Sequence, residues 1–579
     1  MKIKQKHSLQ WAHPIVREWF TKQLGEPTNA QIKGWPSILN GQSTLISAPT
    51  GAGKTLAAFL ACLDQLVRAA LSNQLTDEIK VLYVSPLKAL SNDIQKNLLK
   101  PLQEIQALAV QKGYPMQDIR VMVRTGDTPT RERQAMLKKP PHIIVTTPES
   151  FYILLTAERS RQVLETIQTI IVDEIHALAN NKRGSHLALS LERLEAISHH
   201  SPIRIGLSAT QKPLELVAKF LIGNRKKRPV IVNIGHVRKL DLAIEVPDSE
   251  LGAVAANEVW DEIYDRIATL ANENRSTLVF VNTRRLAERV AHHLAQRLGP
   301  DAALAHHGSL SRKLRLQAEA KLKQGELKVL VATASLELGI DIGTVDLVCQ
   351  LGSPRAIAIA LQRVGRAGHT YGAIAKGRFF VTTRDELMEC AALIYAILEG
   401  DLDRLIMPEQ PKDILAQQLV AACATNDWRV SDLFKLVKKA FPFRNLTRKN
   451  FDAIIMILAE GISGNRGRYG AYLFHDRVNG LLKARRGSRL TAIMNGGAIP
   501  ETGLFTVIAE PDGVVVGTLD EDFAVESNRG DIILLGTTSW QIKRVEGTSG
   551  RVLVENAHGA PPSVPFWRGE APARTNELS

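Results

Sequence analysis

Cysteine is scarce in this chain of 579 residues: Cys62, Cys349, Cys390 and Cys423 stand far apart, and none belongs to a Cys-x-x-Cys pair. That excludes a disulfide framework and a cysteine-based zinc site, and it fits a reducing compartment. Long apolar runs are absent as well. The opening Met1-Lys-Ile-Lys-Gln-Lys6 carries no apolar leader segment, and no window reaches the ~20 apolar residues of a membrane span. A soluble, cytoplasmic protein without a membrane partner is expected. Acid is in deficit: 59 Asp and Glu against 73 Lys and Arg leave a formal charge of +14. A basic excess suits a polyanionic partner, since each neutralised phosphate releases counterions, and it suits a merely basic soluble protein equally well. The pairs His292-His293 and His306-His307 have no further ligands at metal spacing and read as structural or surface groups.

What is present is more specific. The composition, 45% hydrophobic and 23% charged, is ordinary for globular protein. The length calls for about three to five domains, because single cores stop growing at roughly 250–300 residues. Near the start, Ala48-Pro-Thr-Gly-Ala-Gly-Lys-Thr55 builds a phosphate cradle. The N–H groups of Thr50, Gly51, Ala52 and Gly53 turn toward an anion, Lys54 reaches the β and γ phosphates, and Thr55 places a hydroxyl on Mg²⁺. Far along the chain, Gln362-Arg-Val-Gly-Arg-Ala-Gly-His369 sets Gln362, Arg363 and Arg366 on one helical face, with Gly365 and Gly368 permitting close approach. Arg366 is the first choice for stabilising charge on a transferring phosphoryl group, Arg363 the next, and Gln362 helps to place the water. A P-loop alone says nucleotide. A cationic element from a second domain predicts a cleft whose closure hydrolysis controls.

Between Thr44 and about Val232, β-rich apolar runs alternate with amphipathic helical stretches. The expected strands are Thr44–Ala48, Lys80–Ser85, Ile119–Arg124, His142–Thr146, Thr169–Asp173 and Ile203–Ser208. Such alternation predicts a parallel α/β sheet with ligands at the C-terminal strand ends, where Thr50, Ser85, Thr147, Asp173 and Ser208 fall. Gly223–Pro229 and Pro247–Glu250 bracket a hinge, after which the alternation resumes near Ser276–Val281, Ala302–His306, Lys328–Ala332, Val345–Leu351 and Arg378–Val381. Beyond about Met407, helices over Ile414–Ala424, Val430–Ala440 and Lys449–Glu460 and a wing strand over Arg468–Phe474 predict a winged helix. From about Asn495, short strands dominate: Phe505–Ala509, Val514–Leu519, Asp531–Leu535, Ser539–Arg544 and Arg551–Glu555. The expected domains are 1–240, 241–406, 407–494 and 495–579.

Asp173-Glu-Ile-His176 follows the apolar strand Thr169–Val172. Beside a P-loop, a strand-terminal acidic pair suits Mg²⁺ binding by Asp173 and water activation by Glu174, because phosphoryl transfer needs positioned oxygen ligands and a base.

With the motifs in this order the chain resembles a superfamily 2 DExH-box helicase. Phe20, Gly25, Pro27-Thr28 and Gln31 resemble the adenine-reading Q-type motif. Ser85-Pro-Leu-Lys-Ala-Leu90, Thr125-Gly-Asp-Thr128 and Thr146-Thr-Pro-Glu-Ser150 resemble strand-gripping motifs, and Ser208-Ala-Thr210 the coupling motif. Leu278-Val-Phe-Val-Asn-Thr-Arg284, His307-Gly-Ser309 and Thr333-Ala-Ser-Leu-Glu-Leu-Gly-Ile-Asp341 complete the second domain. Among branches it is most similar to the Lhr (large helicase-related) family, through Lys182-Arg-Gly184 after Asp173-Glu-Ile-His-Ala-Leu, through His369, and through Gly496-Gly-Ala-Ile-Pro500, Leu519-Asp-Glu-Asp-Phe523 and Pro565-Phe-Trp-Arg-Gly569. The resemblance covers essentially the whole chain. It implies an α/β fold of two tandem RecA-like domains, then a winged helix and a partial β-rich domain, because the family core continues beyond Ser579. It also implies ATP and Mg²⁺ as cofactors, with Phe20, Gln31, Gly339 and Asp341 on the nucleotide and Ser208 and Thr210 as couplers. The implied action is 3′ to 5′ movement on single-stranded DNA, unwinding DNA or RNA–DNA duplexes in DNA repair, with repair proteins as partners and a nucleoid-associated location. Where many superfamily 2 helicases end the last motif in Arg, this chain has His369, so that third cation is weakened or missing.

Ser85, Thr147 and Thr333 at strand ends suit hydrogen bonds to phosphate oxygens without reading sequence, and equally suit helix capping. Arg284 and Lys88 read either as phosphate contacts or as surface charges. Trp567 is the first candidate for stacking on a base and Trp540 the second, with burial in the β-rich module the alternative for each. Ile499 reads as a wedge against bases or as a packed turn residue, and the cluster Lys483-Ala-Arg-Arg-Gly-Ser-Arg489 as a phosphate contact or a solvated linker. Two other functions stay open: an RNA helicase, and a nucleic-acid-binding ATPase that does not unwind because its C-terminal region is incomplete.

Overall fold

The computed structural model describes residues 8–49, 51–86, 94–235, 239–337, 343, 345–368, 374–464, 467–498, 503–547, 549–567 and 574–579. It divides into two compact units. One gathers Met1–Ala48, Ala52–Gly235 and Arg404–Ile499; the other gathers Pro49–Gly51, His236–Asp403 and Pro500–Ser579.

In the first unit, β1 (Thr44–Ser47), β2 (Val81–Val84), β3 (Val121–Arg124), β4 (Ile143–Thr146), β5 (Thr169–Val172), β6 (Ile203–Ser208) and β7 (Val230–Asn233) form one sheet in the order β3-β4-β2-β5-β6-β1-β7. Every pairing is parallel. Strands β1, β2, β4 and β5 are buried along their whole length, as their apolar, β-branched sequences require when helices cover both faces. The register aligns Ser47 with Ser208, and Val84 with both Thr146 and Val172. The residues that follow, Ala48, Ser85, Thr147, Asp173 and Ala209, therefore share one edge, where parallel sheets gather ligands.

The second unit repeats the plan with β8 (Leu240–Glu245), β9 (Thr277–Phe280), β10 (Ala303–His306), β11 (Val329–Ala332), β12 (Leu347–Leu351) and β13 (Ala375–Phe380), all parallel in the order β10-β11-β9-β12-β13-β8. Two of these thirteen strands, β7 and β8, lie in the stretch expected to be a hinge. Both close a sheet edge and are largely half-buried, so neither carries the continuous apolar run by which central strands announce themselves.

The first unit also holds the winged helix: helices Lys412–Cys423, Val430–Lys439 and Arg448–Glu460 with β14 (Trp428–Arg429), the hairpin of β15 (Ile462–Gly464) and β16 (Gly467–Tyr469), and β17 (Leu473–Asp476) against β18 (Leu481–Ala484). The single wing strand expected over Arg468–Phe474 is two strands. Gly470, at φ 81°, breaks it in a backbone conformation that costs glycine little. One core runs from beneath the first sheet into this domain, through Leu187, Leu191 and Leu194 to Ile414, Leu415 and Leu419. At its centre Arg193 is buried, donates to Gln418 and Ala421, and lies over Tyr152.

The second unit ends in an open five-stranded sheet of β19 (Leu504–Ala509), β20 (Val514–Asp520), β21 (Ile532–Leu535), β22 (Thr538–Glu546) and β23 (Arg551–Asn556), ordered β20-β19-β23-β22-β21. Its core of Val507, Ile533, Leu535, Ile542, Val552 and Val554 takes in Leu310 from the preceding domain. Among the described residues no helix is long and apolar enough to cross a membrane, and no cluster of His, Cys, Asp and Glu forms a metal site.

Candidate nucleotide site and nucleic-acid contacts

The phosphate loop leaves β1 and enters the helix Lys54–Leu71. Gly53 sits at φ 76° just before that helix, a left-handed conformation that an ordinary side chain resists. Lys54 is buried and donates to the Ala48 carbonyl at 2.6 Å, which folds its ammonium back over the loop; Thr55, next in the helix, is half-buried. Thr28 and Gln31 form a reciprocal cap on the helix Asn29–Leu39. From that cap Thr28 Oγ1 donates to the Ala52 carbonyl at 2.8 Å, and the Gln31 amide reaches the Gly53 carbonyl at 3.5 Å. Gln31 is thus engaged with the phosphate loop itself. Phe20 needs a correction. It is 1% exposed and packs edge-on against Trp19 and Trp35, so it supports the loop's helices and offers no face to a nucleotide.

Asp173 follows β5 with both carboxylate oxygens held: Oδ1 accepts from the Glu174 N–H at 2.8 Å, and Oδ2 from the Tyr83 hydroxyl. Burial, with the Glu174 carboxylate adding to it, pushes the Asp173 carboxyl up to about 6. An all-oxygen set of Asp173 and the Thr55 hydroxyl is what a hard divalent cation takes, and a cation there would favour the ionised acid. Glu174 adopts a left-handed backbone, φ 44° and ψ 42°, rare for a residue with a side chain and typical of strain kept at working sites. His176 is buried and accepts from the Ala209 N–H at 3.3 Å. Burial first, and Lys54 second, push its imidazole down to about 3, so the ring is neutral as that acceptor role demands. Ser208 and Ser47 both donate to the Ala209 carbonyl, at 2.7 and 3.3 Å, whereas the buried Thr210 hydroxyl has no partner among the described residues.

In the second unit Arg363 is buried and fully engaged. It donates to Glu337 at 2.8 Å, Gln350 at 2.7 Å and Asn282 at 3.2 Å, and lies over the Phe280 ring. Gln362 is half-buried on the helix Ile357–Val364; that helix ends before Arg366, so the single helical face expected for Gln362, Arg363 and Arg366 is not formed, and the buried Arg366 donates to the Glu337 carbonyl from the turn that follows. Arg284 opens the helix Arg284–Leu298, donates to Ser309 at 2.7 Å and lies over the Trp567 ring at 5.6 Å. Neither the expected surface charge nor a freely presented phosphate contact describes it. Trp567 is 7% exposed and packs on His307 as well, which corrects its reading as an open stacking platform. Trp540 is half-buried and its indole N–H donates to the Leu535 carbonyl at 3.0 Å. Ser85 and Thr147 are buried at their strand ends. Thr147 caps the helix Pro148–Thr156, accepting from the Ser150 N–H, while the half-buried Thr333 makes no side-chain cap. Thr50, Lys88, Gly339, Asp341 and Ile499 lie outside the described residues.

Residues 28–217 match the family model of the DEAD/DEAH box helicase, 258–370 that of the helicase conserved C-terminal domain, and 395–564 that of the winged helix domain of the large helicase-related protein. A structure of the Mycobacterium smegmatis helicase Lhr bound to single-stranded DNA and AMP-PNP aligns over 97% of this chain and 68% of its own, at 40% identity with a TM-score of 0.79. The chain belongs to the Lhr family. The ATP-dependent helicase Lhr-Core protein 2 of Thermococcus barophilus is 43% identical over 96% of this chain and 65% of its own length. The Lhr helicase/uracil glycosylase of Escherichia coli is 40% identical over 98% of this chain and 40% of its own. The chain thus spans about two thirds of one Lhr relative and two fifths of the other.

Within this Lhr fold several residues that touch the candidate site escape a reading of motifs. Tyr83 reaches Asp173 from mid-strand, and its only signal is a hydroxyl in an otherwise apolar strand. Glu337 neutralises Arg363 from a motif read for its neighbours. His176 is spelled out in Asp173-Glu-Ile-His176, yet its link to Ala209 emerges only when β5 and β6 lie side by side.

Proposed function

We propose that this chain is an ATP-dependent motor that moves 3′ to 5′ along single-stranded DNA and separates DNA or RNA–DNA duplexes in DNA repair. The observation that carries it is the buried link at the first sheet's edge. Lys54, Asp173 and Glu174 share that edge with Ser85 and Thr147, and the buried His176, two residues beyond Glu174, accepts from the Ala209 N–H at the neighbouring strand end. Lys54, Thr55 and Asp173 would hold ATP, which supplies the phosphoryl group, and Mg²⁺, which would neutralise charge on its oxygens. Glu174 takes the proton from the attacking water, and His176 passes the change at Glu174 to the Ser208–Thr210 segment. Arg366 supplies the charge-stabilising cation, a role read from its motif; Arg363 stays with Glu337. The names of the Lhr-Core relatives as ATP-dependent helicases, and single-stranded DNA in the Mycobacterium smegmatis Lhr structure, support this reading.

The deciding experiment is steady-state ATP hydrolysis with no nucleic acid, with single-stranded DNA, or with RNA of matched length, followed by displacement of duplexes bearing a 3′ or a 5′ tail. Stimulation by DNA and displacement from 3′ tails alone are expected. Equal or greater stimulation by RNA moves the assignment to RNA remodelling, and turnover without displacement reduces it to a DNA-stimulated ATPase.

A further inference from the structure

Lys182-Arg-Gly184 distinguishes the family motif, yet nothing in the catalytic cycle above uses it. Arg183 sits in the first turn of the helix Lys182–Ile197 and is held at two points. Its Nε donates to Glu149 Oε1 at 2.6 Å, and its terminal nitrogen donates to the Pro86 carbonyl at 2.8 Å. Pro86 follows Ser85 at the end of β2, and Glu149 follows Thr147 at the end of β4. One guanidinium therefore joins the residue that follows Ser85 to the first turn of the helix Pro148–Thr156, which Thr147 caps. Burial pushes the Glu149 carboxyl up, but the Arg183 guanidinium outweighs it and holds that carboxyl below its ordinary range.

The same side chain is anchored to the nucleotide site from behind. Glu174 begins the short helix Ile175–Ala179, and Asn181, which caps the Arg183 helix, donates from its side chain to the Ala177 carbonyl at 2.7 Å. At Gly184 a methyl group would lie 1.9 Å from the Leu178 carbonyl oxygen, so the two helices touch backbone to backbone. The helix that Glu174 begins and the helix that carries Arg183 are thus held against each other by backbone contact, and the Arg183 side chain reaches from there to Pro86 and Glu149.

We infer that Arg183 is a positioning residue that clamps Ser85-Pro86 after β2 and the helix start Thr147-Pro148-Glu149 after β4 in register for the nucleic-acid backbone and couples that register to Glu174. The inference rests on the motor reading above. Its signature is geometric: a planar fork serves two acceptors that a lysine ammonium cannot reach in the same arrangement. Arg183 is 38% exposed along its side chain, so direct attraction of a phosphate is the competing role, and lysine would preserve that.

The test compares Arg183→Ala and Arg183→Lys in the full chain, reading ATP turnover against single-stranded DNA concentration and, independently, DNA affinity by fluorescence anisotropy with a non-hydrolysable ATP analogue. For both variants the DNA concentration giving half-maximal turnover, and the DNA dissociation constant, should rise about tenfold, with maximal turnover changing far less. Adding Glu149→Gln to Arg183→Ala should cost nothing further, as members of one clamp behave. Arg183→Lys behaving as wild type overturns the clamp in favour of a point charge. Loss of maximal turnover at unchanged DNA affinity overturns it in favour of simple support of the nucleotide site. Wild-type protein that binds DNA without stimulated turnover sinks the motor reading and leaves the anisotropy series to decide the clamp; wild-type protein with no DNA affinity overturns both.

Discussion

At the scale of single residues, the proposed roles of proton transfer at Glu174 and coupling through His176 can be separated by measurement. Glu174 stands in a strained backbone with its carboxylate beside the neutral His176. Glu174→Gln keeps the shape and removes the base, so turnover should fall by about 10²-fold or more while ATP and DNA still bind. Single-turnover hydrolysis checks this, and retained turnover would remove Glu174 from the chemistry. His176→Ala leaves the acids in place and breaks the link to Ala209. Basal hydrolysis should largely persist, whereas stimulation by DNA should drop by about tenfold, the scale of coupling that one contact carries. Comparing both variants with and without DNA separates the roles. Equal losses in the two conditions would make His176 a part of the catalytic centre only.

At the scale of elements, the seat between the first sheet and the winged helix carries its own pH dependence. His186, on the helix Lys182–Ile197, is buried against Tyr152. Burial pushes its imidazole down to about 4; Glu149 opposes the shift, and Arg193 and Arg183 add to it. A base depressed in the folded state stabilises the fold above its unfolded value and loses that contribution as pH falls, here from about 6.5 to about 4. The loss should be on the order of 3 kcal/mol at most, and His186→Phe should flatten the melting temperature across that window. An unchanged pH profile in the variant would assign the acid sensitivity elsewhere. Eleven of the parallel strands were easy to anticipate, because runs such as Thr169–Val172 are β-branched and apolar along their length. Strands β7 and β8 were not, since an edge strand needs only one covered face. The candidate site was legible because Lys54, Asp173 and Glu174 are fixed by local sequence beside strand ends. Trp567 and Arg363 were not, because an indole or a guanidinium reads alike whether its partners are nucleic acid or, as here, Arg284 and Glu337 from distant segments.

At the scale of the whole molecule, the chain alternates between its two units, so each unit is closed by a segment remote in sequence. In the first unit the closing contact is Arg193, buried beneath the winged helix. In the second it is Glu288, which is wholly buried and accepts from His307 at 2.8 Å and from the Gly536 and Thr537 N–H groups of the β21–β22 turn at 2.7 and 3.1 Å. The last sheet is further joined to its unit through backbone bonds from Thr518 to Ser309 and from Ser311 to Val516. Removing Glu288 leaves the buried His307 and the half-buried Gly536 and Thr537 N–H groups without their acceptor, and removing Arg193 strands the Gln418 carbonyl, each costing about 3 kcal/mol. Two cooperative units closed in this way should melt in two calorimetric transitions, with Glu288→Ala lowering one and Arg193→Ala lowering the other. If both variants lower a single shared transition, the units unfold as one body. A motor built from such units would then have to store its stroke in bending within a single cooperative fold, whereas two transitions leave each unit rigid and place the stroke in the segments that join them.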